Sequence, residues 1–236
     1  MRSTPATTSV GRRSTRRGHS RAHSSWRDRA SPSPVTPMDQ SDRRDRILTA
    51  ALRHAGNGYR EVRIREVADA AGVVTSTVYS HFPSKDGLLL ECLLDWLECF
   101  ADEGGVTTVD ADDPYRRLLR TIEAITDQLP LTPRRADSMA RSYLHATGAA
   151  ARTAELVRAT LMRIFTEALS RDRPRPLDHD RHVAELVTDV WIASALAVAQ
   201  NRATQDDLHQ RLGHAIAAIR ETAARRAAAH PAVTGP

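Results

Sequence analysis

The chain has 236 residues, of which 41% are hydrophobic and 4% aromatic, with a formal net charge of +5. Abundant alanine with few aromatics favours helix over sheet, two cysteines are too few for a disulfide framework, and no apolar run reaches the roughly 18 residues of a membrane span. The charge is uneven: residues 1–41 carry eight arginines against Asp28 and Asp39, a net of +6, and the remainder nets −1. The basic character is therefore that of one tail.

Residues 1–37 are polar, rich in Ser, Thr and Pro, and without periodicity. They have nothing to bury, so a disordered basic arm is expected over 1–41. The arm lacks the apolar centre of a secretory signal, and a cytoplasmic protein with no membrane contact is expected. Met38 is a second possible start, which would leave 199 residues.

From residue 41 the pattern turns helical. Ser41 or Asp42 is placed to cap a helix carrying Ile47, Leu48, Ala51, Leu52 and Ala55, ended at Asn57-Gly58. Ile64, Val67, Ala68 and Ala71 predict a short second helix, broken at Gly72. Val74, Val78 and Phe82 recur every four residues as the apolar stripe of a third. Pro83 stops it, and Ser84 caps a fourth that carries Leu88, Leu89, Cys92, Leu93, Trp96, Leu97 and Phe100.

Two short helices joined by a glycine turn, the second with a polar face, form a helix-turn-helix pattern. The second helix of such a pair enters the major groove of double-stranded DNA. Thr75, Ser76, Thr77 and Ser80 are the candidates for base edges. Tyr79, His81 and Lys85 are the candidates for phosphates, with Arg63 and Arg65 as further basic contacts. Lys85 is the one lysine in the chain. It opens the fourth helix, where a cation opposes the helix dipole but suits a phosphate.

The segment IREVADAAGVVTSTVYSHFPSKDGLLLECL resembles the DNA-binding segment of TetR-type transcriptional regulators. The A-x-x-A-G-V turn, the T-x-Y and the F-P-S-K-[DE]-x-L-L all match. There are departures. Val74 stands where the family has a capping Ser or Thr, so the cap is expected to move to Thr75. Thr75 and Ser76 replace a basic residue and a glycine, and His81 replaces a tyrosine. Arg63 stands where Ser or Thr opens the second helix. RHAGNG lacks the usual bulky apolar residue and is one residue short. The resemblance implies a homodimer on a palindromic operator and a small-molecule effector.

Five further helices are expected between 113 and 229. One starts at Asp113-Pro114 and ends at Pro130 and Pro133. Others span Ala136–Thr147, Ala151–Leu169 and Arg181–Arg202, and Thr204 caps the last. The predicted fold is thus all-α, about nine helices. A three-helix helix-turn-helix domain over 42–88 is followed by a ligand-binding and dimerisation domain over 89–229 and a disordered tail over 230–236.

WIASALAVA is apolar nearly all round and needs cover on most sides. A second copy supplies it through the last two helices, with Trp191, Ala195, Leu208, Leu212, Ile216 and Ile219 expected at the interface. The middle helices are expected to enclose an apolar pocket drawn from Trp96, Phe100, Leu119, Ile122, Met139, Met162, Phe165 and Trp191. Tyr143 and Arg141 are its expected polar groups. DSMARSYLHATGAAA and ELVTDVWIASALAVAQNRATQDDLHQRL resemble the actinobacterial repressors of cholesterol catabolism within the family. That likeness implies release from DNA by a CoA thioester of a steroid or another bulky acid.

No nucleotide-binding loop, C-x-x-C or nucleophile elbow is present, so no catalysis and no cofactor is expected. His179 and His182 have metal-compatible spacing but sit at a charged loop edge without a Cys partner, so no metal is expected. The alternative, an architectural DNA-binding protein without effector, would have no pocket among the middle helices.

Overall fold

The computed structural model describes residues 40–104, 113–129 and 132–229. Residues 1–39 of the basic arm, Met38 among them, with Pro130 and the tail over 230–236, lie outside them. The described residues form nine α-helices, one 3₁₀ turn and no strand.

Helix α1 (Gln40–Ala55) begins two residues earlier than a Ser41 cap allows, inside the last two residues of the stretch expected as a disordered arm. Ser41 and Asp42 therefore lie in its first turn, where Asp42 favours the helix dipole, rather than at its cap. The helix ends at Ala55. Gly58 has φ 118 and ψ 160, an extended conformation with positive φ that glycine reaches freely, and it leads into the 3₁₀ turn Tyr59–Glu61. Helix α2 (Ile64–Ala71) ends on left-handed Gly72. Helix α3 (Thr75–His81) follows, then α4 (Lys85–Asp102), whose Ser84 cap accepts from the Gly87 amide at 3.0 Å.

Helix α4 runs unbroken from the first three helices into the rest of the chain. Arg44 of α1 grips it through Glu91 at 2.8 Å and Asp95 at 2.9 Å. Cys92 is buried against the Leu48 carbonyl, and burial pushes its thiol up.

The body comprises α5 (Pro114–Gln128), α6 (Pro133–Leu144), α7 (Ala149–Ser170), α8 (Asp178–Ala199) and α9 (Gln205–Ala229). Asp113 and Thr204 cap α5 and α9 as expected. Pro133 opens α6 instead of closing the helix before it, with Thr132 as cap. The missing N–H and fixed φ of proline fit a first helical turn. Leu97, Leu118, Ile122, Leu161, Phe165, Val187 and Leu212 build one continuous core.

By length and composition α8 could cross a membrane, which the sequence reading missed. Val183, Val187 and Trp191 instead bury one side of it in that core.

Arg117 is a charged member of this interior, 3% exposed. Its Nε donates to the Ala168 carbonyl at 2.8 Å and its Nη2 to Asp172 at 2.7 Å, tying α5 to the end of α7. Arg117→Ala strands a buried carbonyl, while Asp172 can return to water. A loss of about 2–3 kcal/mol is expected by denaturant titration. A change under about 0.5 kcal/mol would show that the tie contributes little.

Candidate nucleic-acid interface and effector cavity

The turn between α2 and α3 is closed by the Val73 amide on Ala68 O at 3.0 Å. Gly72 (φ 65, ψ 41) provides the left-handed residue. Val78 and Phe82 anchor α3 in the core. Val74 does not complete the expected stripe. It is the residue before the helix and 67% exposed. Thr75 lies inside the first turn, so the cap does not move to it, and no side chain caps α3.

The exposed face of α3 is Ser76, Tyr79 and Ser80, flanked by half-buried Thr75, Thr77 and His81. Ser80 Oγ donates to Thr77 O at 2.7 Å. Arg65 is exposed on α2, and Arg63 pairs with Glu66 at 3.1 Å.

Lys85 is held in place. Its Nζ donates to Tyr59 O at 3.1 Å and stands 3.7 Å from the centre of the Tyr59 ring. Partial burial lowers its pKa, opposed by neighbouring Asp86. Tyr59 in turn donates to Asp86 at 2.7 Å and meets the His145 ring edge-on. Burial and that hydrogen bond push the Tyr59 phenol up to about 12. The 3₁₀ turn, the start of α4 and the end of α6 therefore share one polar cluster. Its seed in the sequence, a tyrosine 26 residues before the lysine, has no local signal.

A half-open apolar cavity of about 160 Å³ lies among α4, α5, α6, α7, α8 and α9. Of the expected lining residues, Met139, Tyr143 and Trp191 reach its wall. Phe100, Ile122 and Phe165 are buried in the core, with Trp96 and Leu119 packed partly buried against it. Met162 borders a separate groove on α7. Arg141 is on the outer face of α6, paired with Asp137 at 2.8 Å.

Ala136, Ala140, Ala195 and Ala199 form much of the wall. Large residues fill interiors, so a cavity opens where small ones face each other. Alanines four apart on α6 and on α8 were the missed signal. Thr126 and Gln205 also line it. Thr126 Oγ1 donates to Ile122 O at 2.8 Å and accepts from Trp191 Nε1 at 3.2 Å.

Helix α6 has two jobs. Its inner face carries Ala136, Met139, Ala140 and Tyr143 to the cavity. Its other side reaches the end of α1, where Arg135 Nε donates to Leu52 O at 3.0 Å. Buried Ser138 Oγ lies 2.8 Å from Arg134 O and 3.3 Å from Ala55 O. Both α1 carbonyls belong to its last turn, where they also accept from the Gly56 amide at 3.2 Å and the Gly58 amide at 3.1 Å, so the α6 side chains add a second donor to each.

The expected dimer residues Trp191, Leu208, Leu212 and Ile216 are buried within the protomer, and Ala195 and Ile219 are partly so. An amphipathic helix turns its strongest apolar stripe to its own core first. The apolar residues that α8 leaves outside are Leu186, 57% exposed, and Ala193, while Val190 between them is half-buried against the core. His179, considered with His182 for a metal, has Tyr115 Oη at 2.9 Å.

Residues 47–92 match the family model for bacterial regulatory proteins of the tetR family. Residues 111–219 match that for the tetracyclin repressor-like C-terminal domain. The chain is 30% identical over 178 residues to the HTH-type transcriptional repressor KstR of Mycobacterium tuberculosis, covering 75% of this chain and 80% of that one. A TetR regulator from Rhodococcus sp. RHA1 shares the fold with a TM-score of 0.68 at 23% identity, over 77% of this chain and 97% of that one. Thermus thermophilus FadR in complex with lauroyl-CoA does so with a TM-score of 0.59 at 21% identity, over 75% and 92%. The helix-turn-helix, the all-helical body and these likenesses together place the chain in the TetR family of transcriptional regulators.

Proposed function

We propose that the protein is a repressor that leaves its operator when an apolar effector occupies the cavity. The observation that carries this is the double role of α6, which walls the cavity and also caps the last turn of α1. An effector that widens the cavity displaces α6, and the capped end of α1 moves with it. The effector then favours a head position that does not fit the operator. The same fold holds lauroyl-CoA in the Thermus FadR. With the resemblance to cholesterol-catabolism repressors, this favours a CoA thioester of a bulky apolar acid. Titrating such a thioester against the protein–operator complex tests the reading. Unchanged operator affinity across a panel of steroid and fatty acyl thioesters would favour the constitutive alternative.

In this reading Ser76, Tyr79 and Ser80 face the major groove, with Thr75, Thr77 and His81 at its edges. The exposed methyl groups of Val74 suit a thymine methyl. Arg63, Arg65 and Lys85 meet phosphates. The Tyr59 carbonyl takes one of the three Lys85 N–H donors and leaves two for an anion.

Lys85→Ala is expected to weaken binding to all DNA sequences alike and to lower the salt slope by about one. It should also lower the melting temperature, because the Tyr59 contacts go. A lower melting temperature with an unchanged slope would leave Lys85 a purely structural clamp.

The second copy is expected on the outward face of α8, at Leu186 and Ala193 with the exposed edge of Val190, and the outer side of α9 beside it. Two heads joined there read the two halves of a palindrome.

A further inference from the structure

The chain has 34 Lys and Arg residues, and all but Lys85 are arginine. Guanidinium groups make its ion pairs and long-range carbonyl contacts at Arg44, Arg117 and Arg135. An arginine opening α4 would also meet a phosphate, with a better fork. A lysine differs in one chemical respect. Its amine can shed a proton and form an amide, whereas a guanidinium stays charged.

The surroundings of Lys85 suit that reaction. The side chain is partly buried, which favours the uncharged amine, and neighbouring Asp86 opposes the shift. The Asp86 carboxylate is itself engaged by the Tyr59 hydroxyl at 2.7 Å. The Tyr59 carbonyl takes one N–H of Nζ, and an amide keeps one N–H for it. The Tyr59 ring, centred 3.7 Å from Nζ, offers a flat apolar face to a short acyl group. Acylation thus removes the charge and leaves the clamp on the 3₁₀ turn in place. Lys85 opens α4 just beyond the end of α3, so the charge is lost beside the DNA-reading face.

We propose that Lys85 is an acylation site, where a short-chain CoA thioester converts the ammonium to a neutral amide and the protein leaves DNA. This rests on the reading of Lys85 as a phosphate contact. Nζ first gives a proton to water. Its lone pair bonds the thioester carbonyl carbon, the carbon–sulfur bond breaks, and the CoA thiolate takes a second proton from the nitrogen. The products are the amide, CoA thiol and one released proton, with no change of oxidation state. The site is separate from the effector cavity, since Lys85 is not part of the cavity wall and the product is covalent.

The test treats the whole chain with acetyl-CoA in mildly alkaline buffer, native or unfolded in urea, and then digests it, unfolded, with a lysine-specific protease. With one lysine, an unmodified chain gives two fragments and a chain acylated at Lys85 stays whole. The native chain is expected to become resistant after a shorter treatment than the unfolded one. Its operator affinity is expected to fall by about tenfold or more, the loss of a charge-assisted contact. Lys85→Arg keeps a cation and cannot form the amide. Its operator affinity, whatever the starting value, should be the same before and after treatment. Acylation no faster in the native chain than in the unfolded one overturns the site. An acylated chain that binds operator as before overturns both the switch and the phosphate contact. An equal loss of affinity in treated Lys85→Arg protein overturns the covalent route and leaves the effector reading standing.

Discussion

The Leu212→Asp protein is expected to be unfolded, and the Leu186→Asp protein folded but monomeric. Leu212 is 0% exposed, in the core that joins α9 to the body. A carboxylate there must either lose its hydration or break the packing around it. The loss should exceed about 4 kcal/mol, a large part of the stability of an ordinary domain. Leu186 is 57% exposed in the single chain, so an aspartate there is well solvated in the monomer. In a dimer packed on that face the same charge would be buried. Circular dichroism separates folding from association, and sedimentation reads the oligomeric state. Operator affinity of Leu186→Asp should fall by more than tenfold as two half-sites come to bind separately. A Leu186→Asp protein that still sediments as a dimer would place the interface elsewhere.

Ala140→Trp is expected to abolish the response to effector while operator binding survives. Ala140 is 6% exposed on the inner face of α6 and lines the cavity, so an indole there takes the space an effector needs. Overpacking costs about 1–3 kcal/mol, and the half-open mouth lets part of that strain relax. The effector concentration for half-release should rise at least about tenfold. If Ala140→Trp is released by the same concentration as the parent, the effector does not bind in this cavity.

The DNA-binding head was largely legible in the sequence, because its determinants are local. A glycine after Ala71, a proline after Phe82 and a serine before Lys85 each fix a turn through backbone geometry. Val74 was misplaced because a four-residue spacing reads the same whether or not the first residue lies inside the helix. The body was less legible. Apolar stripes named the helices, but they do not say whether a stripe meets its own core or another copy, and Leu212 went to the wrong side. The cavity was hidden for the opposite reason. It is defined by where side chains are small, at Ala136, Ala140, Ala195 and Ala199, and the sequence draws attention to the large ones. The contacts that couple α6 to α1 span 83 residues and end on backbone carbonyls, which carry no residue-type signal.

The central claim is that the cavity and the DNA-reading head are energetically coupled. It is tested most directly by measuring the affinity of a steroid-acid CoA thioester for the protein alone and for the protein saturated with operator DNA. Coupling is reciprocal, so the factor by which operator weakens thioester binding must equal the factor by which thioester weakens operator binding. The account expects a factor of at least about ten in both directions, reduced to about one in Ala140→Trp. Thioester bound with the same affinity in the presence and absence of operator would contradict it.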